Sequence, residues 1–390
     1  MDTTPAELRA RGGLKWTAHG PDVLAAWVAE MDFGLAPAVA AALRNAVDRG
    51  ETGYFYPAIE WAAAEAAAAF WADDLSWKVS PDQVFSAPDV VEGLGRAIIH
   101  LTRPDSAVIL HTPVYYPFFS MVERAGRELV EVPCQPDDGG RYRLDLDRID
   151  SAFATGAGCL VLCNPWNPTG RSFSREEIAE VVSIAATHGG RVVSDEIHAS
   201  LTHPGFEHVV AAKTDPDTVI TVTSASKAWN LPGLKCAQVV LTRDSDATVW
   251  RDYYTPEKVA VGTFGLIANA AAYGEGGDWL ASVRAHLASN RELLGDLIPT
   301  HLPDARYHAP EATYLAWLDF RPYGLEDPAA HFLEHSRVAL TSGTPFGVNG
   351  GGHARLNFAT SRHPQRDGDP NGIGVVTLGR TRTPPKCSPA

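Results

Sequence analysis

Through the middle of the chain, short apolar runs alternate with stretches that have helical periodicity. The apolar runs are nearly continuous, which is typical of strands that are buried on both faces of a sheet. The strand candidates are Gln83–Ser86, Ala107–Leu110, Gly158–Cys163, Arg191–Ser194, Val219–Thr223 and Ala237–Leu241. The helix candidates between them are Val90–Leu101, Pro117–Ala125 and Arg175–His188. This alternation predicts an α/β fold with a mostly parallel central sheet flanked by helices.

The last third of the chain has a different pattern. From about Trp279, a long helical stretch is followed by two apolar segments, "ATYLAWLDF" and "HARLNFAT". We therefore predict a large domain over residues 46–275 and a smaller α+β domain over residues 276–362, which residues 1–45 join. Residues 363–390 are rich in proline, glycine and arginine and lack apolar periodicity, so we interpret them as a disordered or atypical tail.

Composition narrows the class of protein. The chain has 390 residues and a net charge of -14, and such an acidic protein is a poor partner for nucleic acid. It has neither a long apolar run nor the apolar core of a signal peptide, which predicts a cytoplasmic protein that does not interact with membranes. The five cysteines include no CxxC pair, so we expect reduced thiols and no metal site.

Polar and aromatic residues recur just after successive strand candidates. The first is followed by a turn into a helix, where backbone N–H groups are free to bind an anion. Ligands collect beyond the carboxyl ends of the strands in open α/β sheets, so these side chains are predicted to share one crevice. In chain order the residues are Val90 and Val91, Tyr115, Asn167, Asp195 and His198, and then Ser224, Ser226 and Lys227.

Taken singly, each of these residues has an ordinary structural explanation, such as a helix cap or a solvated lysine. Together they match the needs of pyridoxal 5'-phosphate, which uses a lysine amine for its Schiff base and an acid beside its ring nitrogen. It also needs a donor to its phenolate oxygen, an aromatic ring and donors to its phosphate. A glycine-rich dinucleotide turn after a strand and a P-loop are both absent from the sequence.

Several segments resemble those of a known family. They are "WVAEMDF", "TPVYYPF", "NPWNPTG", "SDEIHASL", "SASKAWNLPGL" and "ARLNFATSR". With them, the chain from about residue 14 to residue 362 resembles the fold-type I pyridoxal-phosphate enzymes of the class I/II aminotransferase family. Within that family it is most similar to the MalY/PatB-like branch of cystathionine β-lyases, or C–S lyases, for which "WVAEMDF" and "DEIH" are typical.

The resemblance implies a role for each matching residue at the cofactor ring. Lys227 would form the Schiff base and then act as the mobile acid and base. Asp195 would pair with the pyridine nitrogen, and Asn167 would donate to the phenolate oxygen. Tyr115 would stack on the ring, and His198 is expected to line the cofactor site.

The resemblance also implies how the phosphate and the substrate are bound. The phosphate would be held by Ser224, Ser226, Lys235, the backbone of Val90 and Val91, and Tyr54 from a second subunit of a homodimer. Much of the family has arginine where Lys235 stands, so this position keeps the charge but loses the planar fork. Arg355, with Tyr115 beside it, would bind the substrate α-carboxylate.

The activity implied by the branch is β-elimination on cystathionine or a related cysteine thioether, which gives a thiol, pyruvate and ammonia. An aminotransferase is the alternative, because the residues named above serve both reactions. A third possibility is a lyase for a larger thioether, with Trp16, Trp27 and Phe33 lining its pocket. A regulatory role through protein–protein contact also stays open.

Overall fold

The computed structural model describes residues 3–54, 57–253 and 260–361. Its helices are α1 (Pro5–Ala10), α2 (Leu14–Thr17), α3 (Pro37–Asp48), α4 (Pro57–Asp74), α5 (Val90–Leu101), α6 (Pro117–Arg124), α7 (Leu146–Ala154), α8 (Arg175–Thr187), α9 (Ala225–Ala228), α10 (Asp244–Tyr253), α11 (Thr263–Glu275), α12 (Gly277–His301) and α13 (Pro328–Ser336). Its strands are β1 (Leu24–Ala25), β2 (Val84–Ala87), β3 (Val108–Thr112), β4 (Leu129–Pro133), β5 (Gln135–Pro136), β6 (Tyr142–Arg143), β7 (Cys159–Cys163), β8 (Arg191–Asp195), β9 (Val219–Thr223), β10 (Ala237–Val240), β11 (Arg306–Tyr307), β12 (Leu315–Asp319), β13 (Val338–Ala339), β14 (Thr341–Ser342) and β15 (His353–Asn357).

The central sheet has seven strands in the order β2-β10-β9-β8-β7-β3-β4. The strands from β9 to β4 in this order run parallel, whereas β10 pairs antiparallel with both β2 and β9. Every residue of β3, β7, β8 and β9 is buried, which explains why these strands have nearly continuous apolar sequences. The predicted α/β fold with a mostly parallel sheet is therefore confirmed.

Strand β4 is missing from the sequence prediction. It lies at the edge of the sheet, four of its five residues are only half-buried, and it carries Glu131 in its middle. An edge strand needs no continuous apolar run, so a search for such runs overlooks it. Helix α8, by contrast, begins where its capping box requires, with Ser174 and Glu177 bonding each other's backbone N–H groups.

The C-terminal part of the chain builds a second, antiparallel sheet in the order β11-β12-β15-β14. Strand β1 pairs in parallel with β13, so Leu24 lies opposite Val338 and the start of the chain is joined to its C-terminal part. The division into domains at residues 45 and 275 stays a prediction. The predicted tail, residues 363–390, lies outside the described residues.

Aromatic side chains of the first segment pack into the protein, since Trp16 and Phe33 are buried and Trp27 is half-buried. The described cysteines, Cys134, Cys159, Cys163 and Cys236, are free and buried, as predicted, and Cys387 lies outside the described residues. Among the helices described, none has the length and apolar character needed to cross a membrane.

Candidate active site

The parallel strands bring the predicted residues to one edge of the central sheet. Asp195 is the last residue of β8, and it lies opposite Cys163 at the end of β7. Asn167 follows β7 by four residues, and Ser224 and Lys227 follow β9. We call Asn167, Asp195, Ser224, Ser226 and Lys227 the strand-end cluster, because each follows a parallel strand at its carboxyl end.

Asp195 is a buried carboxylate with little support from the protein. Its Oδ1 accepts from the backbone N–H of Ile197 at 3.1 Å, and the Cys163 thiol lies 3.9 Å from its Oδ2. Burial, with a smaller contribution from the neighbouring Glu196, raises the pKa of Asp195 to about 7. No cationic side chain of the described residues forms an ion pair with it, so a bound N–H cation would supply the partner that it lacks.

Lys227 lies in the short helix α9 and directs its amine toward the first segment of the chain. Its Nζ donates to the carbonyl oxygen of Ala29 at 2.8 Å. Burial and then the positive charge of Arg355 lower the pKa of Lys227 to about 8, against the opposing influence of Glu30 and Asp195. A substantial fraction of the amine is therefore neutral, and able to accept a proton, at mildly alkaline pH.

Arg355 on β15 is a buried cation that faces the cluster. Its Nη1 donates to Asn167 Oδ1 at 3.0 Å, and its Nη2 donates to the Trp27 carbonyl at 3.2 Å and to Thr341 Oγ1 at 3.3 Å. Its Nε has no hydrogen-bond partner in the part of the chain that is described. Since these partners are all neutral, the guanidinium has the charge and the free donor to bind a carboxylate.

The predicted phosphate end of the site lies at the N-terminus of α5. Asp89 caps this helix by accepting from the N–H of Glu92 at 2.8 Å, and Lys235 Nζ donates to Asp89 Oδ2 at 2.6 Å. The cation is thus held beside the first turn, where Val90 and Val91 present backbone N–H groups. This arrangement places three of the predicted phosphate ligands together.

Ser224 is already engaged within the chain. Its hydroxyl donates to the Cys236 carbonyl at 2.7 Å and accepts from the N–H of Ser226 at 3.0 Å. To donate to a phosphate, the Ser224 hydroxyl would have to leave the Cys236 carbonyl. The phosphate role of Ser224 therefore stays a prediction, since the Cys236 carbonyl competes with a phosphate for the Ser224 hydroxyl. Ser226 lies beside Ser224 on the first turn of α9.

Tyr115 and His198 are placed at the same edge. Tyr115 follows β3 and is half-buried, and burial, followed by the influence of Tyr116, raises its pKa to about 12, so its phenol stays neutral. His198 is buried, and burial, then the charges of Lys227 and Arg355, lowers its pKa to about 3. Its imidazole is thus neutral, and its Nδ1 has no partner among the described residues.

Tyr54 differs from the other predicted site residues in its exposure. Its side chain is fully exposed, with a relative accessibility of 105%. A residue that contributes from a second subunit would be exposed in this way when one chain is considered alone.

Residues 27–31, which we call the strap, lie in the segment "WVAEMDF", but nothing in the sequence indicated that their backbone contributes to the site. The backbone of the strap lies between Lys227 and Arg355, because Ala29 bonds the first and Trp27 bonds the second. Asn230 bonds both the N–H and the carbonyl of Met31 at 2.9 Å. Asn230 has a left-handed backbone (φ 58°), a conformation that asparagine adopts more readily than most residues. An asparagine just after the "SxSK" helix could therefore have indicated a tight turn at this point of the site.

Two further residues that hold the strap come from the second sheet. Asn357 Nδ2 donates to the carbonyls of Val28 and Glu30 at 2.5 and 2.7 Å, and the Tyr314 hydroxyl donates to the Ala29 carbonyl at 3.0 Å. Their separation from the strap exceeds 280 residues along the chain, and no local pattern relates them to it. Only the folded structure brings them together.

The residues present fit pyridoxal phosphate. The Asp195 carboxylate, which has no cationic partner among the described residues, suits a protonated ring nitrogen. The enclosed Lys227 amine suits a Schiff base, and Lys235 with the α5 N-terminus suits a phosphate. This fold, with these groups at the ends of its strands, defines a fold-type I pyridoxal-phosphate-dependent enzyme.

Comparison with known proteins gives the family. Residues 27–367 match the model of aminotransferase class I and II, and the chain belongs to that family. It is 39% identical to cystathionine beta-lyase of Corynebacterium glutamicum, over 93% of this chain and 96% of that protein. It is 33% identical to cystathionine beta-lyase PatB of Bacillus subtilis strain 168, over 91% and 94%. The solved structure of the PLP-bound C–S lyase from Staphylococcus hominis is similar as well, with a TM-score of 0.84, 27% identity and coverage of 95% and 94%.

Proposed function

We propose that this protein is a pyridoxal-phosphate-dependent C–S lyase that catalyses β-elimination on cystathionine or a related cysteine thioether. The products are a thiol, pyruvate and ammonia. The observation that carries this proposal is the 39% identity, over 93% of the chain, to a cystathionine beta-lyase. The site supports it, because a basic amine and a carboxylate-binding cation face the same strap.

The substrate is oriented by its carboxylate. Arg355 binds this group through its guanidinium, whose present partners are neutral oxygens that a carboxylate can displace or join. The amide of Asn167, which bonds Arg355 through its oxygen, keeps its N–H₂ group free to donate to the cofactor. Asn167 thereby links the substrate side of the site to the cofactor side.

Proton transfer belongs to Lys227. When bound, pyridoxal phosphate supplies an electron sink that stabilises negative charge at the substrate Cα. The Lys227 amine, with its pKa lowered to about 8, accepts the Cα proton and returns it at a later step. Asp195 would pair with the protonated ring nitrogen of the cofactor, and Val90, Val91, Ser226 and Lys235 would hold its phosphate.

A direct assay tests the function. The purified protein is given L-cystathionine without a keto-acid acceptor, and the pyruvate released is measured over many turnovers. Repeated release of pyruvate supports the lyase. Glutamate formed only when 2-oxoglutarate and an amino donor are supplied would instead identify an aminotransferase and contradict the proposal.

The enzyme is further proposed to act as a cytoplasmic homodimer in which Tyr54 reaches the phosphate of the other subunit. The exposure of Tyr54 supports this arrangement. Mixing two inactive variants, Tyr54→Ala and Lys227→Ala, would form heterodimers with one intact site each if the sites are composite. Recovery of activity on mixing is expected, and its absence while heterodimers form would contradict a shared site. Cell fractionation checks the location.

A further inference from the structure

The carbonyl oxygen of Ala29 accepts two side-chain hydrogen bonds. Lys227 Nζ donates to it at 2.8 Å, and the Tyr314 hydroxyl donates to it at 3.0 Å. The carbonyls on either side of it are both held by Asn357 Nδ2, at 2.5 and 2.7 Å. The oxygen that faces the lysine is therefore fixed from both directions along the backbone.

Tyr314 is suited to hold the Ala29 carbonyl at every pH at which the protein works. It is fully buried, directly before β12, and burial raises the pKa of its phenol far above the usual range. Its ring packs edge-on against His198, with the ring centroids 6.2 Å apart. Since the phenol keeps its proton across the working pH range, its bond to Ala29 does not change when Lys227 titrates.

The groups around the Lys227 amine set its pKa, and the pKa decides the pH at which the reactivity of the amine is best measured. The charged and titratable groups that interact with it are Arg355, Glu30, Asp195 and His198, and Tyr314 shares its acceptor, the Ala29 carbonyl. Their combined effect with burial leaves its pKa at about 8. At about pH 9.5 the amine is thus mostly neutral, and its reactivity reports how it is held rather than whether it is protonated.

We propose that the Ala29 carbonyl is the acceptor that holds the Lys227 amine whenever it is free of the cofactor, and that Tyr314 is the positioning residue that fixes this acceptor. The inference rests on the proposed function, because a lysine that moves protons needs a defined place for its free amine. One hydrogen bond to a fixed oxygen keeps the nitrogen in reach of the substrate and leaves its lone pair available.

The test uses Tyr314→Phe, which removes the hydroxyl and keeps the ring. The full-length protein, stripped of cofactor, is exposed to trace acetic anhydride at pH 9.5, and acetylation of Lys227 is measured by peptide mass spectrometry relative to Lys213. Loss of one hydrogen bond should speed Lys227 acetylation about fivefold. With cofactor bound, kcat for the lyase reaction should fall about fivefold while KM stays within about twofold.

Tyr307→Phe is the matched control, since the Tyr307 hydroxyl is also buried but has no hydrogen-bond partner among the described residues. It should change neither measurement. If Tyr314→Phe does not fold, Asn357→Ser replaces it, because it releases the flanking carbonyls and must raise acetylation in the same way. Unchanged acetylation in a folded variant overturns the inference. Faster acetylation in an enzyme without lyase activity would leave the inference standing and reject the proposed function.

Discussion

The strand-end cluster and the strap support the same lysine in different ways. In the cluster, each side chain is positioned by the strand directly before it, as Asp195 is by β8. In the strap, the backbone is positioned mainly by side chains that are 198 to 329 residues away along the chain, and Lys15, which bonds the Glu30 carbonyl, is the nearby exception. The cofactor side of the site is thus built locally, whereas the substrate side depends on contacts between the two ends of the chain.

Because of this difference, substitutions in the cluster and substitutions around the strap should impair the site in two different ways. Loss of a cluster residue removes a chemical group but leaves its neighbours in place, since the sheet holds them. Loss of a residue that bonds the strap, such as Asn357, releases backbone that other functional groups use. The following variants test the comparison, starting with the largest expected effect.

Lys227→Ala removes the central group of the cluster. We expect pyruvate release to fall by about 10³-fold or more, because the other amine that bonds the strap in the described structure, Lys15, is already paired with Asp32 at 2.9 Å. The visible absorbance of the bound cofactor should be lost as well. Lys213→Ala is the control, since Lys213 is exposed and its amine bonds the Leu75 carbonyl at 3.3 Å. Turnover above about one-tenth of wild type in Lys227→Ala would contradict the role of Lys227.

Asp195→Asn tests whether the buried Asp195 carboxyl changes the pH dependence of stability. Asp195 has a pKa of about 7 in the folded, cofactor-free protein, against about 3.9 when unfolded. Its raised pKa favours folding below about pH 4, and this contribution is lost as the pH rises through 7. The cofactor-free variant should therefore be more stable than wild type at pH 8, by up to about 4 kcal/mol, and the difference should shrink toward pH 5.

Melting curves between pH 5 and pH 8 measure the effect of Asp195→Asn. The exposed Asp138→Asn is the control and should follow the wild-type curve. A difference between Asp195→Asn and wild type that stays constant over this range would show that Asp195 is not held with a raised pKa.

Arg355→Lys tests the arginine of the second sheet that bonds the strap at the Trp27 carbonyl. Lysine keeps the charge but cannot bond Asn167, Trp27 and a carboxylate at once. We expect kcat/KM to fall about 100-fold, mainly through KM. Arg321→Lys is the control, since Arg321 is exposed and pairs with Asp319 away from the strap. A change confined to kcat would argue against carboxylate binding by Arg355.

Lys235→Ala should have the smallest effect, because Lys235 lies at the exposed rim of the cluster beside Asp89. Cofactor affinity should weaken about tenfold, measured by absorbance titration of the stripped protein. Lys78→Ala, at an exposed position, should leave it unchanged. If Lys235→Ala binds the cofactor as wild type does, the phosphate is held by the α5 N-terminus and Ser226 without it.

The sequence predicts the cluster well for a physical reason. A parallel sheet places the residues after its strands at one edge, so order along the chain becomes proximity in space. Lys227, Asp195 and Asn167 could be found in that way. Tyr314 and Asn357 could not, because their partners are backbone carbonyls, which every residue has and no sequence pattern marks. The edge strand β4 escaped for a related reason, since its half-exposed face needs no apolar run.

The parallel pairing of β1 with β13 has a consequence for how the protein is made. A ribosome releases Leu24 and the strap long before Val338, Arg355 and Asn357 exist. Until then the strap lacks its bonds to Tyr314, Arg355 and Asn357, and contacts of such high sequence separation form late. The central sheet can fold first, with its lysine in place but without a fixed acceptor. Catalytic competence therefore arrives at the end of translation, and a prematurely terminated chain would carry the lysine as an unpositioned amine.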